Sequence, residues 1–325
     1  MTERGYKHLF GPVLSRRLGR SLGVDIMPFK TCTYDCVYCE QGRTTNQTMC
    51  RKEYVPTQEV LDELEEYLGA HSAPDYVTLS GAGEPTLHAR LGDIAQGVKS
   101  LSTAPLAVIT NGSLLWDGTV RNALCDADVV LPSLDAGNAP LFKYIDRPVS
   151  GISFEQMISG LIAFRESFRN AIWLEVMLMD GSTSGESEVR EIAEWVRRIR
   201  PDRVQLNTVV RPPSESFARR VPRARLELLA TLFSPRAEVI ADYSGRAQDT
   251  EIPPDASRVL ELLDRRPCSL REIAATLGLR LVEASKLVQR LTAQNKIAER
   301  RFGNDAFFVA VHVGADQVTG RKNSL

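Results

Sequence analysis

The feature that most constrains this chain is a group of three closely spaced cysteines, Cys32, Cys36 and Cys39, in the pattern Cys-x-x-x-Cys-x-x-Cys. One short loop can direct all three thiolates at one metal centre. A structural zinc site and an ordinary four-iron cluster each take four protein ligands. Three ligands therefore predict a centre with one metal position left open for a substrate or cofactor. The alternative is a structural zinc site completed by Cys50 or by a histidine.

The remaining cysteines, Cys50, Cys125 and Cys268, are isolated from one another in the sequence. A lone cysteine is more often a small buried hydrophobic residue than a metal ligand. An auxiliary cluster formed from these three residues is the less favoured alternative.

Composition limits the class of protein. The chain has 325 residues, 43% of them apolar, and its 40 basic residues nearly balance its 41 acidic residues. This suits one large domain with a smaller one and excludes a polyelectrolyte surface over the whole molecule. No apolar run is long enough to cross a bilayer, and the first residues do not form a signal peptide. We expect a globular, cytoplasmic protein with no membrane partner and with reduced cysteines.

Between about Gly23 and Ala241, short β-prone runs alternate with longer segments of helical period. This alternation predicts six or seven βα units with parallel strands. The loops that follow the strands would meet at one face, where βα folds place their active sites. The predicted strands are Gly23–Met27, Tyr76–Ser80, Leu106–Thr110, Val129–Leu134, Trp173–Leu178, Arg203–Thr208 and Glu238–Ala241. The predicted helices include Thr57–Leu68, with Thr57 as its N-cap, Phe154–Phe168 and Glu186–Arg200.

The periodicity ends after Ala241, and two runs that contain glycine and proline, 242–246 and 251–255, predict a linker. We therefore predict two domains, residues 1–250 and residues 251–325. The second domain has predicted helices at Ser257–Asp264, Leu270–Leu277 and Val282–Gln294, followed by a hairpin over Ile297–Val311 that turns at Gly303-Asn304-Asp305. Three short helices followed by a hairpin are typical of a winged helix-turn-helix.

The cysteine spacing, the aromatic Tyr38 before the last cysteine and the strand ahead of the loop together resemble the radical S-adenosylmethionine (SAM) superfamily. The resemblance implies an α/β fold with a partial (βα)6-type radical SAM barrel, which the small C-terminal winged-helix-like domain predicted above would follow. It implies that Cys32, Cys36 and Cys39 hold a [4Fe-4S] cluster and that SAM occupies the open iron. It also implies cleavage of SAM to a 5′-deoxyadenosyl radical that abstracts hydrogen, with a reductant such as flavodoxin or ferredoxin as a partner.

The same resemblance identifies candidate SAM contacts along the first 240 or so residues. The run Ser80–Thr86 is similar to the family's Gly-Gly-Glu-Pro motif, with Ala82 in place of the first glycine. In relatives this motif meets the amino group of SAM, and small residues let its backbone approach a ligand closely. Polar residues at later strand ends commonly face the ribose and carboxylate of SAM. The implied cofactor-binding residues are Tyr38, Gly81, Gly83, Glu84, Asn111, Ser133 and Asp135. The sequence assigns no catalytic residue.

Further polar residues near these strand ends are candidates for the cavity. Glu175 and Met177 share one face of their predicted strand, as do Gln205 and Asn207, and each pair lines the cavity if it points inward. The basic residues Lys30 and Arg43 flank the cysteine loop and would balance cluster charge, or else are solvated loop residues. Three arginines before the first predicted strand would meet a phosphate or the SAM carboxylate. These are Arg16, Arg17 and Arg20.

The runs Ser21–Asp25, Lys30–Cys39, Ser80–His88 and Val204–Val209 resemble a subgroup of iron–sulfur oxidoreductases related to the wyosine tRNA-base synthases. Those synthases use a second cluster held by cysteines upstream of the motif. This chain has no cysteine before Cys32, so we expect kinship in fold and a different reaction.

The C-terminal region is mildly basic, with 12 Lys or Arg against 8 Asp or Glu from Asp255 to Leu325. In a winged helix, the second helix of the turn and the wing would contact phosphates, and this tilts the substrate hypothesis towards tRNA, with a protein residue or a metabolite as alternatives. The residues that would contact phosphates are Lys286, Gln289, Arg290, Arg300 and Arg301. Docking of a protein is the other role of such a module.

A rival hypothesis from another class of protein is an iron–sulfur redox sensor whose winged helix binds DNA.

Overall fold

The computed structural model describes residues 6–241, 256–279, 281–303 and 305–311. The chain divides into two compact units, Met1–Gly245 and Arg246–Leu325. The predicted linker segments 242–246 and 251–255 lie outside the described residues. No helix in the described ranges is long and apolar enough to cross a membrane.

The first unit is built on an eight-stranded sheet of order β1-β2-β5-β6-β7-β8-β9-β10. The pair β1 and β2 is antiparallel, and each later neighbour in the sheet is parallel to the one before it. A short parallel pair, β3 and β4, lies outside this sheet. The strands are β1 (Leu9–Ser15), β2 (Gly19–Val24), β3 (Thr31–Cys32), β4 (Asn46–Gln47), β5 (Tyr76–Leu79), β6 (Leu106–Thr110), β7 (Val129–Pro132), β8 (Ala171–Leu178), β9 (Arg203–Thr208) and β10 (Glu238–Val239).

Helices connect the parallel strands, and a 3-10 turn, Pro85–Leu87, follows β5. Helical crossovers between parallel strands cover a face of the sheet that must be buried. The helices of the first unit are α1 (Thr57–Ala70), α2 (Leu91–Leu101), α3 (Gly118–Ala123), α4 (Ala139–Ile145), α5 (Phe154–Ser167), α6 (Glu186–Ile199) and α7 (Arg223–Ala230).

The two faces of the sheet differ in burial, and strand β8 shows this directly. Ile172, Leu174, Val176 and Leu178 are buried, whereas the alternate residues of the same strand are half-buried. The buried face belongs to the large hydrophobic core beneath the helices. The other face therefore lines the inside of a partial βα barrel, the fold class that the sequence predicts.

The N-terminal end of this inner face is filled by the turn between β1 and β2. Leu18, in that turn, is 2% exposed and packs against Ala107 of β6 and against Val129 and Leu131 of β7. This turn thus enters the half-barrel at the N-terminal ends of its parallel strands. The hairpin that carries it was not predicted, because Gly11 and Pro12 interrupt the period of β1, where the register shifts between Phe10 and Val13.

Most predicted elements are present, with two corrections. Strand β9 has the predicted bounds, whereas the first predicted strand, Gly23–Met27, is wrong because β2 ends at Val24. Thr57 is not an N-cap. It is the first residue of α1, Pro56 takes the cap position, and the Thr57 amide donates to Glu53 Oε1 at 2.8 Å.

The described residues of the second unit form three helices and a three-stranded antiparallel sheet of order β11-β13-β12. A capping box between Ser269 and Glu272 starts the second of these helices, and Gly278 ends it in the left-handed region. In the predicted turn, Asn304 lies outside the described residues. The elements are α8 (Ala256–Arg265), β11 (Cys268–Ser269), α9 (Leu270–Leu277), α10 (Leu281–Ala293), β12 (Ile297–Phe302) and β13 (Asp305–Ala310).

Candidate active site

The cysteine loop leaves β3 and is fastened by its backbone to the end of α4. The Asp35 amide donates to the Asp146 carbonyl at 3.1 Å, and the Val37 amide donates to the Ile145 carbonyl at 2.9 Å. Ser214 adds a hydrogen bond from its hydroxyl to the Cys36 carbonyl at 2.8 Å. The loop conformation is therefore fixed by contacts distant in sequence.

The three predicted ligands are free, half-buried cysteines of this loop. Cys32 Sγ receives the Tyr34 amide and the Asn111 Nδ2 group, both at 3.5 Å, and Cys39 Sγ receives Lys30 Nζ at 3.2 Å. Donors of this kind stabilise thiolates and tune the clusters that thiolates hold. Lys30 is 3% exposed, so it is a buried neighbour of Cys39 and not a solvated loop residue.

Burial disfavours ionisation of the free thiols. It raises the pKa of Cys32 to about 12, with the negative charge of Glu84 adding to the effect, and it raises the pKa of Cys36 with help from Asp146. The Cys36 thiol donates to Asp146 Oδ1 at 3.7 Å. A metal centre that binds here therefore has to displace these protons, as cysteine ligation generally does.

The donor set fits a cluster held by three thiolates. Cys50 and Cys125 are exposed, and Cys268 belongs to the second unit. Among the described residues, no three His, Cys, Asp or Glu side chains are placed to hold a single metal ion. The zinc alternative completed by Cys50 or a histidine gains no support from this part of the chain.

The Ser80–Glu84 loop packs against the segment that leads into the cysteine loop. The Lys30 amide donates to the Ala82 carbonyl at 2.9 Å, and the Glu84 amide donates to the Thr31 carbonyl at 3.1 Å. A Cβ on Gly81 would lie 2.1 Å from the Asp25 side chain, and one on Gly83 would lie 2.4 Å from the Thr31 carbonyl oxygen. Gly83 is thus required for close approach between two backbone segments, and a side chain at Gly81 would have to displace the Asp25 carboxylate. The predicted contacts of both glycines with SAM stay predictions.

Glu84 joins two strand ends with an enclosed carboxylate. It is 2% exposed and accepts from Thr86 N at 3.0 Å, Thr86 Oγ1 and Thr110 Oγ1 at 2.6 Å, and Asn111 N at 2.8 Å. Burial nevertheless raises its pKa. The side chain therefore links the loop after β5 to the end of β6 through hydrogen bonds. Its predicted contact with SAM stays a prediction.

The next strand ends lie at the same edge. Asn111 reaches the cysteine loop, where its Nδ2 donates to Thr33 Oγ1 at 2.8 Å as well as to Cys32. Ser133 is half-buried and forms a backbone bridge to Glu175. Their predicted contacts with SAM remain predictions, but the structure brings both residues to the edge that carries the cysteines.

Tyr38 of the cysteine loop contacts two aspartates, Asp135 and Asp146. Asp135 is among the residues named from the sequence, whereas Asp146 is not. The Tyr38 hydroxyl contacts Asp135 Oδ2 and lies 3.3 Å from Asp146 Oδ1, and the Met177 amide donates to Asp135 Oδ1 at 2.7 Å. Burial raises the pKa of Asp135 to about 7. Burial and the nearby Asp135 raise the pKa of Asp146. No sequence motif marks Asp146, because a residue at the end of α4 meets Cys36 only in the folded chain.

A second residue missed from the sequence is Tyr34. It is 4% exposed and packs edge-on against Phe142, and its hydroxyl has no hydrogen-bond partner among the described residues. It lies inside the cysteine motif itself.

The inner face of β8 and β9 carries the predicted cavity residues. Glu175 accepts from Asn207 Nδ2 at 2.8 Å and pairs with Arg17. Arg16 donates to Asn207 Oδ1 at 3.3 Å. Gln205 is 2% exposed, and its Oε1 has no hydrogen-bond partner among the described residues. Two arginines from the β1–β2 turn thus meet the predicted inward pairs.

Two other predicted basic residues lie elsewhere. Arg20 donates to the Ser72 hydroxyl at 3.3 Å on the outside of the hairpin. Arg43 is exposed and pairs with Asp35 and Glu215. Neither joins the inner face.

The parallel half-barrel and its three-cysteine loop define a class of protein, and comparison with known proteins identifies it. Residues 26–196, more than half of the chain, match the family described as Radical SAM superfamily. A radical SAM methyltransferase from Sphaerobacter thermophilus shares the fold, with a TM-score of 0.51 and 16% identity over 67% of this chain and 65% of that one. The chain belongs to the radical SAM superfamily: it is an enzyme whose cofactors are a [4Fe-4S] cluster and SAM.

Two curated relatives narrow the assignment. A UPF0026 protein of Methanocaldococcus jannaschii is 34% identical over 71% of this chain and 71% of its own length, which places the chain in the UPF0026 family. A Brachyspira hyodysenteriae protein named GTPase Obg is 36% identical over 90% of this chain. The match covers 44% of that protein, so this chain spans less than half of its length.

Proposed function

We propose that this enzyme reductively cleaves SAM to methionine and a 5′-deoxyadenosyl radical, which abstracts hydrogen from a substrate that contains a nucleotide. In this proposal Cys32, Cys36 and Cys39 hold the cluster that supplies the electron. The observation that carries the proposal is the set of three half-buried thiols on a fastened loop, with N–H donors at Cys32 and Lys30 at Cys39.

The residues around the loop would orient SAM and exclude water. Glu84 and Asn111 tie the strand ends to the cysteine loop, and Tyr38 ties that loop to Asp135. The proposed SAM contacts remain the residues named from the sequence. A small electron-transfer protein such as flavodoxin or ferredoxin is the proposed reductant.

Anaerobic reconstitution with iron and sulfide, followed by dithionite and SAM, tests the reaction. We expect 5′-deoxyadenosine from the wild type and none from Cys36→Ala, which lacks one thiolate. The matched control is Cys125→Ala, since Cys125 is exposed and its thiol donates to the Arg121 carbonyl at 3.7 Å, away from the cysteine loop in sequence. A wild-type cluster that forms and leaves SAM intact would overturn the proposal.

For the substrate we propose RNA, bound through a winged-helix-like second unit, in keeping with the resemblance to enzymes related to the wyosine synthases. Lys286, Gln289 and Arg290 are exposed on α10, and Arg300 and Arg301 are exposed on β12. Basic side chains on a helix and a neighbouring hairpin can contact phosphates without reading bases. No observation in the described residues favours the alternative of a DNA-binding iron–sulfur regulator.

Retention of tRNA at increasing salt tests this assignment. Charge reversal at Lys286 or Arg290 is expected to weaken retention and to lower the slope of log affinity against log salt by about one per residue. Arg271→Glu, an exposed change on the neighbouring helix α9, is the control. Equal losses in all three variants, or no retention by the wild type, would count against RNA.

A further inference from the structure

Lys30 occupies a backbone position that does not suit a lysine. It is the third residue of the turn Pro28–Thr31, which the Thr31 amide closes by donating to the Pro28 carbonyl at 3.1 Å. Its φ is 56°, in the left-handed region that glycine or asparagine usually occupies at this place in a turn. A residue with a Cβ makes this conformation costly. A lysine at a position that favours glycine points to a role for its side chain.

Hydrogen bonds on both sides fix the backbone of Lys30. Its amide donates to the Ala82 carbonyl at 2.9 Å, and its carbonyl accepts from the Asn46 amide at 3.0 Å. Ala82 belongs to the loop after β5, and Asn46 begins β4. Two segments distant in sequence therefore set the point from which the Lys30 side chain leaves the turn.

The end of the Lys30 side chain reaches the cysteine loop. Its Nζ donates to Cys39 Sγ at 3.2 Å, and the residue is only 3% exposed. In the described ranges, Nζ forms no ion pair with a carboxylate. A buried ammonium group without a counter-charge is costly. An ionised sulfur at Cys39 would supply this counter-charge.

The charge of Lys30 also acts on a second cysteine of the loop. Burial and the negative charge of Glu84 raise the pKa of Cys32 to about 12, whereas the positive charge of Lys30 acts in the opposite direction. An opposite charge nearby favours the ionised form of an acid. Lys30 therefore favours negative charge at Cys39 through a hydrogen bond and at Cys32 through its electric field.

Reduction adds negative charge to a four-iron cluster that three thiolates hold. The electron comes from the reductant, which is dithionite in the assay above. A neighbouring ammonium group stabilises the reduced form more than the oxidised form, because the attraction grows with the negative charge of the cluster. Hydrogen bonds to the sulfurs and the nearby net charge are among the properties that set the potentials of such clusters. Because Lys30 is buried, solvent screens its charge only weakly.

We infer that Lys30 is a positioning residue that raises the reduction potential of the cluster held by the cysteine loop, an inference that rests on the proposed function and deepens it. Lys30 acts through Cys39, whose sulfur it contacts, and it favours the reduced cluster that supplies the electron for SAM cleavage. The other anion that this ammonium group could bind is the carboxylate of SAM.

A redox titration of the reconstituted full chain, monitored by electron paramagnetic resonance without SAM, tests the inference. Lys30→Met nearly keeps the length of the side chain and removes its charge. We expect it to load as much iron as the wild type. Its equilibrium constant for one-electron reduction should fall about tenfold or more, and each factor of ten is a shift of about 59 mV to a more negative potential. Lys30→Arg keeps the charge and should stay within about threefold of the wild type.

Lys143→Met is the matched control. Lys143 is exposed on α4, the helix whose end hydrogen-bonds to the cysteine loop, so the change deletes the same charge at the surface. Screening by solvent should leave the potential of this variant equal to that of the wild type.

Lys30→Gly is a second variant without the charge, and its backbone suits a φ of 56°. It should shift the potential in the same direction as Lys30→Met, which excludes a strained methionine as the cause.

Three results would overturn the inference: an unchanged potential in Lys30→Met, an equal shift in Lys143→Met, or loss of iron in both Lys30→Met and Lys30→Gly. The last would assign Lys30 to the stability of the loop. An unchanged potential together with weaker binding of radiolabelled SAM in equilibrium dialysis would assign the ammonium group to the SAM carboxylate. The titration needs no SAM, so a cluster that accepts an electron and leaves SAM intact would contradict the proposed function alone.

Discussion

Two glutamates on opposite sides of the half-barrel, the buried Glu84 and the half-buried Glu175, are held in different ways. Glu84, after β5, accepts hydrogen bonds from uncharged groups alone, the amides and hydroxyls of Thr86, Thr110 and Asn111. Glu175, on β8, is held by the Arg17 guanidinium and the Asn207 amide. Both carboxylates are largely removed from water, so the difference lies in the charge of their partners.

The pKa values of the two carboxylates shift in opposite directions. Burial raises the pKa of Glu84, and its four donors offset only part of that effect. Burial also acts to raise the pKa of Glu175, but the charge of Arg17, the Asn207 hydrogen bond and the charge of Arg16 outweigh it and leave the pKa lowered. On one side of the half-barrel, the Glu84 carboxylate is therefore held by neutral donors. On the other side, the Glu175 carboxylate is kept ionised by charged neighbours.

Removal of the Glu84 carboxylate should have the largest effect. Glu84→Ala leaves two backbone amides and two hydroxyls without their acceptor in a buried place, and each orphaned donor costs about 1–3 kcal/mol. We expect a loss of at least about 3 kcal/mol in the free energy of unfolding, measured by urea denaturation.

The control for this change is Glu166→Ala, on the exposed side of α5, which should change stability by no more than about 0.5 kcal/mol. If Glu84→Ala lowers the free energy of unfolding as little as this control does, water replaces the carboxylate. Glu84 would then not be needed to hold the two segments together.

A methyl group on Gly83 tests the same side of the barrel through its packing. Its Cβ would lie 2.4 Å from the Thr31 carbonyl oxygen and 2.9 Å from Met27 Cβ, so the loop before Cys32 has to move. We expect Gly83→Ala to cost about 2 kcal/mol, in the range typical of overpacking, and to lower the iron content after reconstitution.

Gly69→Ala is the matched control, because Gly69 lies in α1 and a Cβ there meets nothing within 4 Å. It should stabilise the protein by about 0.5–1 kcal/mol, since alanine is the better helix former. Full cluster loading in Gly83→Ala would show that the two loops do not depend on each other's position.

The elements that could be predicted from the sequence are those with local signals. Strand β9 and helix α9 have the predicted bounds because their periodicity and their boundaries are both encoded locally, as in the capping box Ser269–Glu272 and Gly278 of α9. The cysteine motif lies within eight residues, so its loop could be recognised without knowledge of the fold.

The partners of those elements could not be predicted, because they come from distant parts of the chain. Asp146 reaches Cys36 across 110 residues, and Arg16 reaches Asn207 across 191. The sequence indicates that the backbone at Gly81 and Gly83 needs space, but it does not show that Asp25 and Thr31 are the neighbours within the chain. Long-range contacts of this kind decide whether a polar residue stabilises the fold or belongs to a binding surface.

The pH dependence of stability separates the two glutamates by sign, with an effect smaller than those above. The folded-state pKa of Glu84 is raised above 4.5, so folded protein keeps this proton when unfolded chain has lost it. The stability of the wild type relative to Glu84→Gln should therefore fall as the pH rises above 4.5.

Glu175 should give the opposite trend. Its folded-state pKa is lowered below 4.5, so its contribution is present above that pH and is lost as the pH falls through the folded value. The stability of the wild type relative to Glu175→Gln should fall on acidification, in urea titrations of cluster-free protein over a series of pH values. Each Gln variant serves as the control for the other, because both remove one ionisable carboxyl group. If the stability difference changes with pH in the same direction for both glutamates, Arg16 and Arg17 do not keep Glu175 ionised. The contrast between a neutral and a charged side of the half-barrel would then be wrong.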